Sequence, residues 1–107
     1  MMVIEMVRNY KHRMARYRLS HERYEALRQF CLMRSHRDVV REAMMEACDD
    51  ALADWLLLHV TSKAWKWAKL EANGIPCCQD TFRLYRARFY WCLNQRLMRK
   101  EKHDESI

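Results

Sequence analysis

The chain has 107 residues, half of them apolar, with one Gly, one Pro and a formal net charge of +6. That length makes one domain, residues 1–107, with enough apolar material for a core. So few turn residues exclude a fold of many short strands, and abundant Met, Leu, Arg, Ala and Glu favour helix, so the expected fold class is all-α.

Residues 3–17 place Val3, Met6, Val7, Tyr10, Met14 and Tyr17 at helical spacing, with Arg8, Lys11, Arg13 and Arg16 between them. The pattern predicts a basic amphipathic helix within residues 1–18, docked on the domain, although such a helix can also lie on a membrane or on RNA. Residues 20–60 read as the core helices. Ser20 is placed to cap the first of them, with Glu22 in its first turn and Tyr24, Leu27, Phe30 and Cys31 as its buried stripe. Ser35, followed by Asp38, reads as the next N-cap.

From His36 the apolar positions Val39, Val40, Ala43, Met44, Ala47 and Cys48 continue through Ala51, Leu52, Trp55 and Leu56. Their spacing predicts a single helix of about six turns, the expected centre of the core. Its carboxylates, Glu46, Asp49 and Asp50 among them, have no ligand spacing beside them and read as a solvated face. His59, near its end, reads as a partner of the helix dipole.

Thr61 or Ser62 then caps a helix expected over Lys63–Ala72. Trp65 and Trp67 are two residues apart and cannot share a helix face, so Trp65 is expected partly exposed beside lysines, as a contact residue or beneath the N-terminal helix. Asn73-Gly74, with Pro76 soon after, is a helix stop. A last helix is expected over Gln79–Arg99, with Phe82, Tyr85, Phe89, Leu93 and Leu97 facing the core and Cys92 beside them. Residues 101–107 read as a frayed tail. The whole is a compact bundle of about five helices whose residues 61–100 form a helix-turn-helix-like hairpin.

A DNA-reading helix-turn-helix needs a bracing helix, a tight turn and a second helix that offers side chains near its N-terminus. Here Lys63–Ala72 is the brace and Asn73–Cys78 the turn. Gln79, Asp80, Arg83 and Arg86 are then placed to meet base edges, and Lys66, Lys69 and Thr81 to hold phosphates. The turn is a residue or two longer than in the shortest such motifs, and any helical hairpin with an N-G-x-P turn would carry the same text. Charge points to a polyanion as well. Residues 1–37 hold nine Lys and Arg against three Asp and Glu, residues 38–60 one against six, and residues 61–107 ten against five. Two basic ends folded onto one side would make a basic patch.

Other classes find little support. One glycine cannot build a Walker, dinucleotide or nucleophile-elbow motif, so no enzyme and no cofactor are expected. Cys31, Cys48, Cys77, Cys78 and Cys92 read as small core residues of a reducing cytosol. Zinc held by Cys77, Cys78 and a His is the alternative, but adjacent cysteines lack the usual ligand spacing and no metal is expected. Apolar runs such as Trp55–Leu58 are far short of the roughly 20 residues that span a bilayer. The N-terminus has no secretory stretch. The expected location is cytoplasmic, with no membrane partner.

Two stretches resemble small phage and prophage proteins of Firmicutes. One is Tyr17-Arg18-Leu19-Ser20 through Arg23-Tyr24, Leu27 and Phe30-Cys31; the other is Gly74-Ile75-Pro76-Cys77 with Phe82, Arg86, Arg88, Phe89 and Tyr90. That family carries no assigned activity and implies no catalytic residues. The C-terminal half is also similar in style to phage late-transcription regulators of the ArpU and RinA kind, which are sigma-like DNA binders. The resemblance implies a double-stranded DNA partner in a host bacterial cytosol and a role in transcription. The alternative expectation is a phage-encoded inhibitor of a host defence nuclease, an anti-CRISPR, binding a host defence protein or its nucleic-acid complex. A structural or packaging accessory is a third.

Overall fold

The computed structural model describes residues 14–105 and is all-helical there. Most of the basic helix expected over 3–17 lies outside the described residues. Five helices follow: α1, His21–Leu32; α2, Arg37–Ala47; α3, Asp50–Thr61; α4, Trp67–Ala72; and α5, Gln79–Glu105. Among the described residues no helix is long and apolar enough to cross a membrane.

α1 starts where its cap predicts, with Ser20 Oγ accepting from the Arg23 amide at 3.1 Å. The cap expected at Ser35 does not form. Ser35 lies inside a 3-10 turn, Arg34–His36, and α2 begins after His36 with no side-chain cap bond. His36 closes this turn instead. Its Nδ1 lies 2.9 Å from the Phe30 carbonyl, and its ring stacks on Phe30 with centroids 3.6 Å apart.

The single long helix expected from His36 is two helices. α2 stops at Ala47, Cys48 and Asp49 are extended, and α3 begins at Asp50. Asp49 Oδ1 accepts from the Leu52 amide at 3.3 Å, a cap that offers the backbone an alternative to continuing the helix. The break changes what each half touches: α2 packs along α5, while α3 packs on α1, α2 and α4.

α5, rather than the 36–56 stretch, is the central element. It runs to Glu105, so the expected frayed tail is helical in its first residues. Phe82, Phe89, Cys92 and Leu93 are buried as their spacing predicts, whereas Tyr85 and Leu97 are only partly covered. Leu84, Tyr90 and Asn94 are buried too, so its buried positions run round the helix and no single stripe describes it. Each of the fully buried Phe82, Phe89 and Leu93 side chains contributes about 1.5–3 kcal/mol of burial free energy.

Polar and aromatic contacts tie α1 and α2 to α5. Asn94 is the one buried polar side chain among the described residues. Its Oδ1 accepts from Arg23 Nε of α1, and its Nδ2 lies 3.5 Å from Met98 Sδ. The Tyr24 ring meets the buried Tyr90 ring edge-on, with centroids 4.9 Å apart. On the other flank Arg96 reaches α2, with Nη2 2.9 Å from Glu46 and Nη1 3.4 Å from Glu42. Part of the acidic face expected to be only solvated therefore meets a basic residue of α5. These pairs are partly exposed, so they orient α2 more than they stabilise it.

Replacing Asp49 by Ala is expected to lower stability by about 1 kcal/mol. Urea unfolding followed by circular dichroism will show a lower midpoint with native helix content retained. An unchanged midpoint would mean that packing alone, without the cap, sets the α2–α3 break.

Candidate nucleic-acid interface

The end of the molecule that carries the sequence-predicted residues is built from the last turn of α3, residues 62–66, α4 and the start of α5. α3 stops at Thr61, whose hydroxyl donates back to the Leu57 carbonyl at 2.6 Å. Ser62 is extended and its Oγ accepts from the Ala64 amide at 3.2 Å. Residues 63–66 form a turn and a short extended piece, so the helix expected over Lys63–Ala72 is reduced to Trp67–Ala72.

The stop after α4 follows its sequence. The Gly74 amide donates to the Glu71 carbonyl and the Ile75 amide to the Leu70 carbonyl, both at 3.1 Å. This pair of bonds is a Schellman motif, and it needs a left-handed residue between them. Gly74 supplies it at φ 89°. Leu70 and Ile75 are both buried, the apolar contact that accompanies the motif. Pro76 then turns the chain, and the Cys78 carbonyl accepts from the Phe82 amide at 3.0 Å to open α5.

The brace differs from the expectation. α4 packs against α3, and it touches α5 through Trp67, whose ring centroid lies 5.1 Å from that of Phe82. His59 also meets the start of α5. The His59 ring meets Phe82 edge-on at 4.8 Å. His59 Nδ1 lies 2.8 Å from the Trp65 carbonyl, which can only accept, so Nδ1 carries the proton. In the neutral ring Nε2 then accepts from Arg86 Nη1 at 3.4 Å. The Arg86 guanidinium also sits 5.4 Å from the Phe82 ring centroid. Burial depresses the His59 pKa, and the nearby Arg86 and Arg28 charges add to that against the opposing pull of the Trp65 carbonyl. His59 is thus a neutral junction of three segments, not the charged dipole partner its position predicts.

The expected contact residues separate into two groups. Gln79 and Arg83 are exposed at the start of α5, and Lys66 and Lys69 are exposed on residues 66–69. Among the described residues none of these three cations is in an ion pair. Lys69 Nζ lies 4.3 Å from the centre of the Trp65 ring, so the two residues form one aromatic-basic unit; Trp65 is half-buried, but it precedes α4 and is not on the helix expected to present it. Arg86 and Thr81 fall in the other group. Arg86 is half-buried and bound to His59, so it is not placed to read bases. Thr81 is half-buried, with Oγ1 3.3 Å from Cys78 Sγ.

Cys31, Cys48 and Cys92 are buried, and burial pushes the Cys31 and Cys48 thiols up to about 12. Cys78 is exposed, contrary to the core role expected for it, and the Thr81 hydroxyl holds its pKa below the ordinary value. Among the described residues no group of three or more His, Cys, Asp or Glu could hold a metal ion.

Two cations escaped the sequence reading, Arg28 of α1 and Lys63. Both line a cleft of about 270 Å³ between α1, the end of α3 and residues 62–66. Nothing in the spacing around Arg28 announces this, because its meeting with residues 62–66 is made only by the packing of α1 on α3. No protein-family model, curated protein or solved structure matches the chain.

His59 gives the fold a testable pH dependence. The unfolded chain takes up the His59 proton near 6.5, and the folded protein only at lower pH. Its contribution to stability is therefore complete above 6.5 and is lost as pH falls from there through the folded value. Urea midpoints measured downward from neutral pH will show this slope, and a His59→Gln variant will lack it. Equal slopes in the two proteins would contradict the assignment.

Proposed function

We propose that the chain binds double-stranded DNA through the surface of residues 66–69 and the first turns of α5. The observation that carries this reading is the exposure of Lys66, Lys69 and Arg83 without an ion-pair partner among the described residues, next to an exposed Gln79. Glu71 and Asp80 are the acidic residues of the same stretch, so the surface stays net positive. Lys66 and Lys69 suit phosphates, which position a duplex without specifying it. Arg83 and Gln79 suit guanine and adenine edges in the major groove. Arg86 drops out of the reading set because His59 holds it. Regulation of phage transcription is the role we infer from the resemblance to late-transcription regulators. A bracing contact through Trp67 and Phe82, with His59 beneath it, does for α5 what a longer bracing helix does in an ordinary helix-turn-helix.

Fluorescence anisotropy with a labelled duplex tests this. Binding is expected at low salt and is expected to fall steeply as salt rises, with the log–log slope reduced by about 0.9 for each phosphate contact removed. Lys66→Ala, Lys69→Ala and Arg83→Ala should each weaken binding, and Arg83→Ala should also relax sequence preference at one position by about 1–3 kcal/mol. Arg86→Ala should instead lower the urea midpoint while leaving duplex affinity in place. Absence of duplex binding at low salt would overturn the reading.

A further inference from the structure

The cleft behind the proposed duplex surface has a composition of its own. Its cations come from two separate segments, Arg28 from α1 and Lys63 with Lys66 from the loop after α3. No Asp or Glu lines it. Arg28 does pair with Glu25 at 3.1 Å, but both side chains are about half exposed, and a pair of that kind is weak enough to be exchanged for a better anion. Three cations lining one cleft whose wall carries no carboxylate suit a multiply charged oxyanion, with Arg supplying a planar fork and the two Lys mobile charges.

The rest of the wall is not that of a bare anion site. Trp65 lines the cleft, and Leu32 and Tyr90 add apolar surface. Lys69, whose Nζ lies 4.3 Å from the centre of the Trp65 ring, is not itself part of the cleft wall. Gln29 and Ser62 offer amide and hydroxyl groups able to both donate and accept. His59 is also in the wall, but both its ring nitrogens are already bonded, so it shapes the site and does not supply a ligand. An aromatic wall, polar groups of both senses and a cluster of cations together match a planar heterocycle joined to a phosphate. The volume of about 270 Å³ lies just below the range of small-ligand pockets, which starts at about 300 Å³. It admits one such unit and no run of strand.

We propose that this cleft binds a single nucleoside phosphate unit, its phosphate on Arg28, Lys63 and Lys66 and its base against Trp65. The unit is either a free mononucleotide or one unpaired nucleotide of a strand. The site goes beyond duplex binding and shares only Lys66 with that surface.

Isothermal titration of the full chain with AMP, inorganic phosphate and a short single-stranded oligonucleotide tests the site. Saturable binding of AMP or of the oligonucleotide is expected, tighter than that of phosphate. It should weaken by roughly tenfold in an Arg28→Gln, Lys63→Gln double variant, whose changes are at the surface and leave the core intact. AMP binding as tightly as the oligonucleotide identifies the free nucleotide, and a clear preference for the oligonucleotide identifies the strand. The proposal is overturned if neither binds, if phosphate binds as well as both, or if the double variant binds like the parent. Duplex affinity should be unchanged in the double variant, and AMP affinity unchanged in Arg83→Ala. Failure of this site and failure of the duplex surface are therefore distinguishable.

Discussion

The structure depends on covering α5. Between Phe82 and Asn94 its buried residues point in nearly every direction, so no single neighbour can satisfy it. α2 takes one flank, with Arg96 reaching Glu42 and Glu46; α1 takes another, with Arg23 on Asn94 and Tyr24 on Tyr90. The break at Cys48-Asp49 divides the work: α2 lies along α5, and α3 packs on α1.

Covering α5 also decides which charges are left for a partner. Arg96 is taken by α2 and Arg86 by His59. What remains exposed near the α4–α5 turn is Gln79 and Arg83 on one side of the turn and Lys66 and Lys69 on the other. Acidic α2 thus meets basic α5 at a partly exposed seam, while Lys66, Lys69 and Arg83 stay out of ion pairs among the described residues near the start of α5. Steering by such a patch acts on encounter with a polyanion and does not contribute to the fold.

His59 connects the two aspects. Because it is neutral, it can accept from Arg86 and donate to the Trp65 carbonyl at once. A protonated ring would have no lone pair for Arg86 and would set two like charges side by side. One imidazole therefore holds the start of α5, the loop after α3 and the wall of the cleft. The loop carrying Lys63, Trp65 and Lys66 is kept in place although it has little regular structure.

What the sequence by itself determined was local. The all-helical class, the Ser20 cap, the Gly74 stop and the start of α5 at Gln79 are all readable from residues within a few positions of one another. The Asp49 cap was legible in the same way but was hidden by an apolar pattern that runs through it unbroken from Val39 to Leu56. Only the tertiary structure decided that α5 is central, that α4 is short, that Arg86 faces His59 and that Arg28 joins Lys63 around one cleft. The reason is physical. Capping and turn energies act between near neighbours in the chain, whereas the direction an arginine takes depends on which distant helix offers it a carboxylate, a ring or a lone pair.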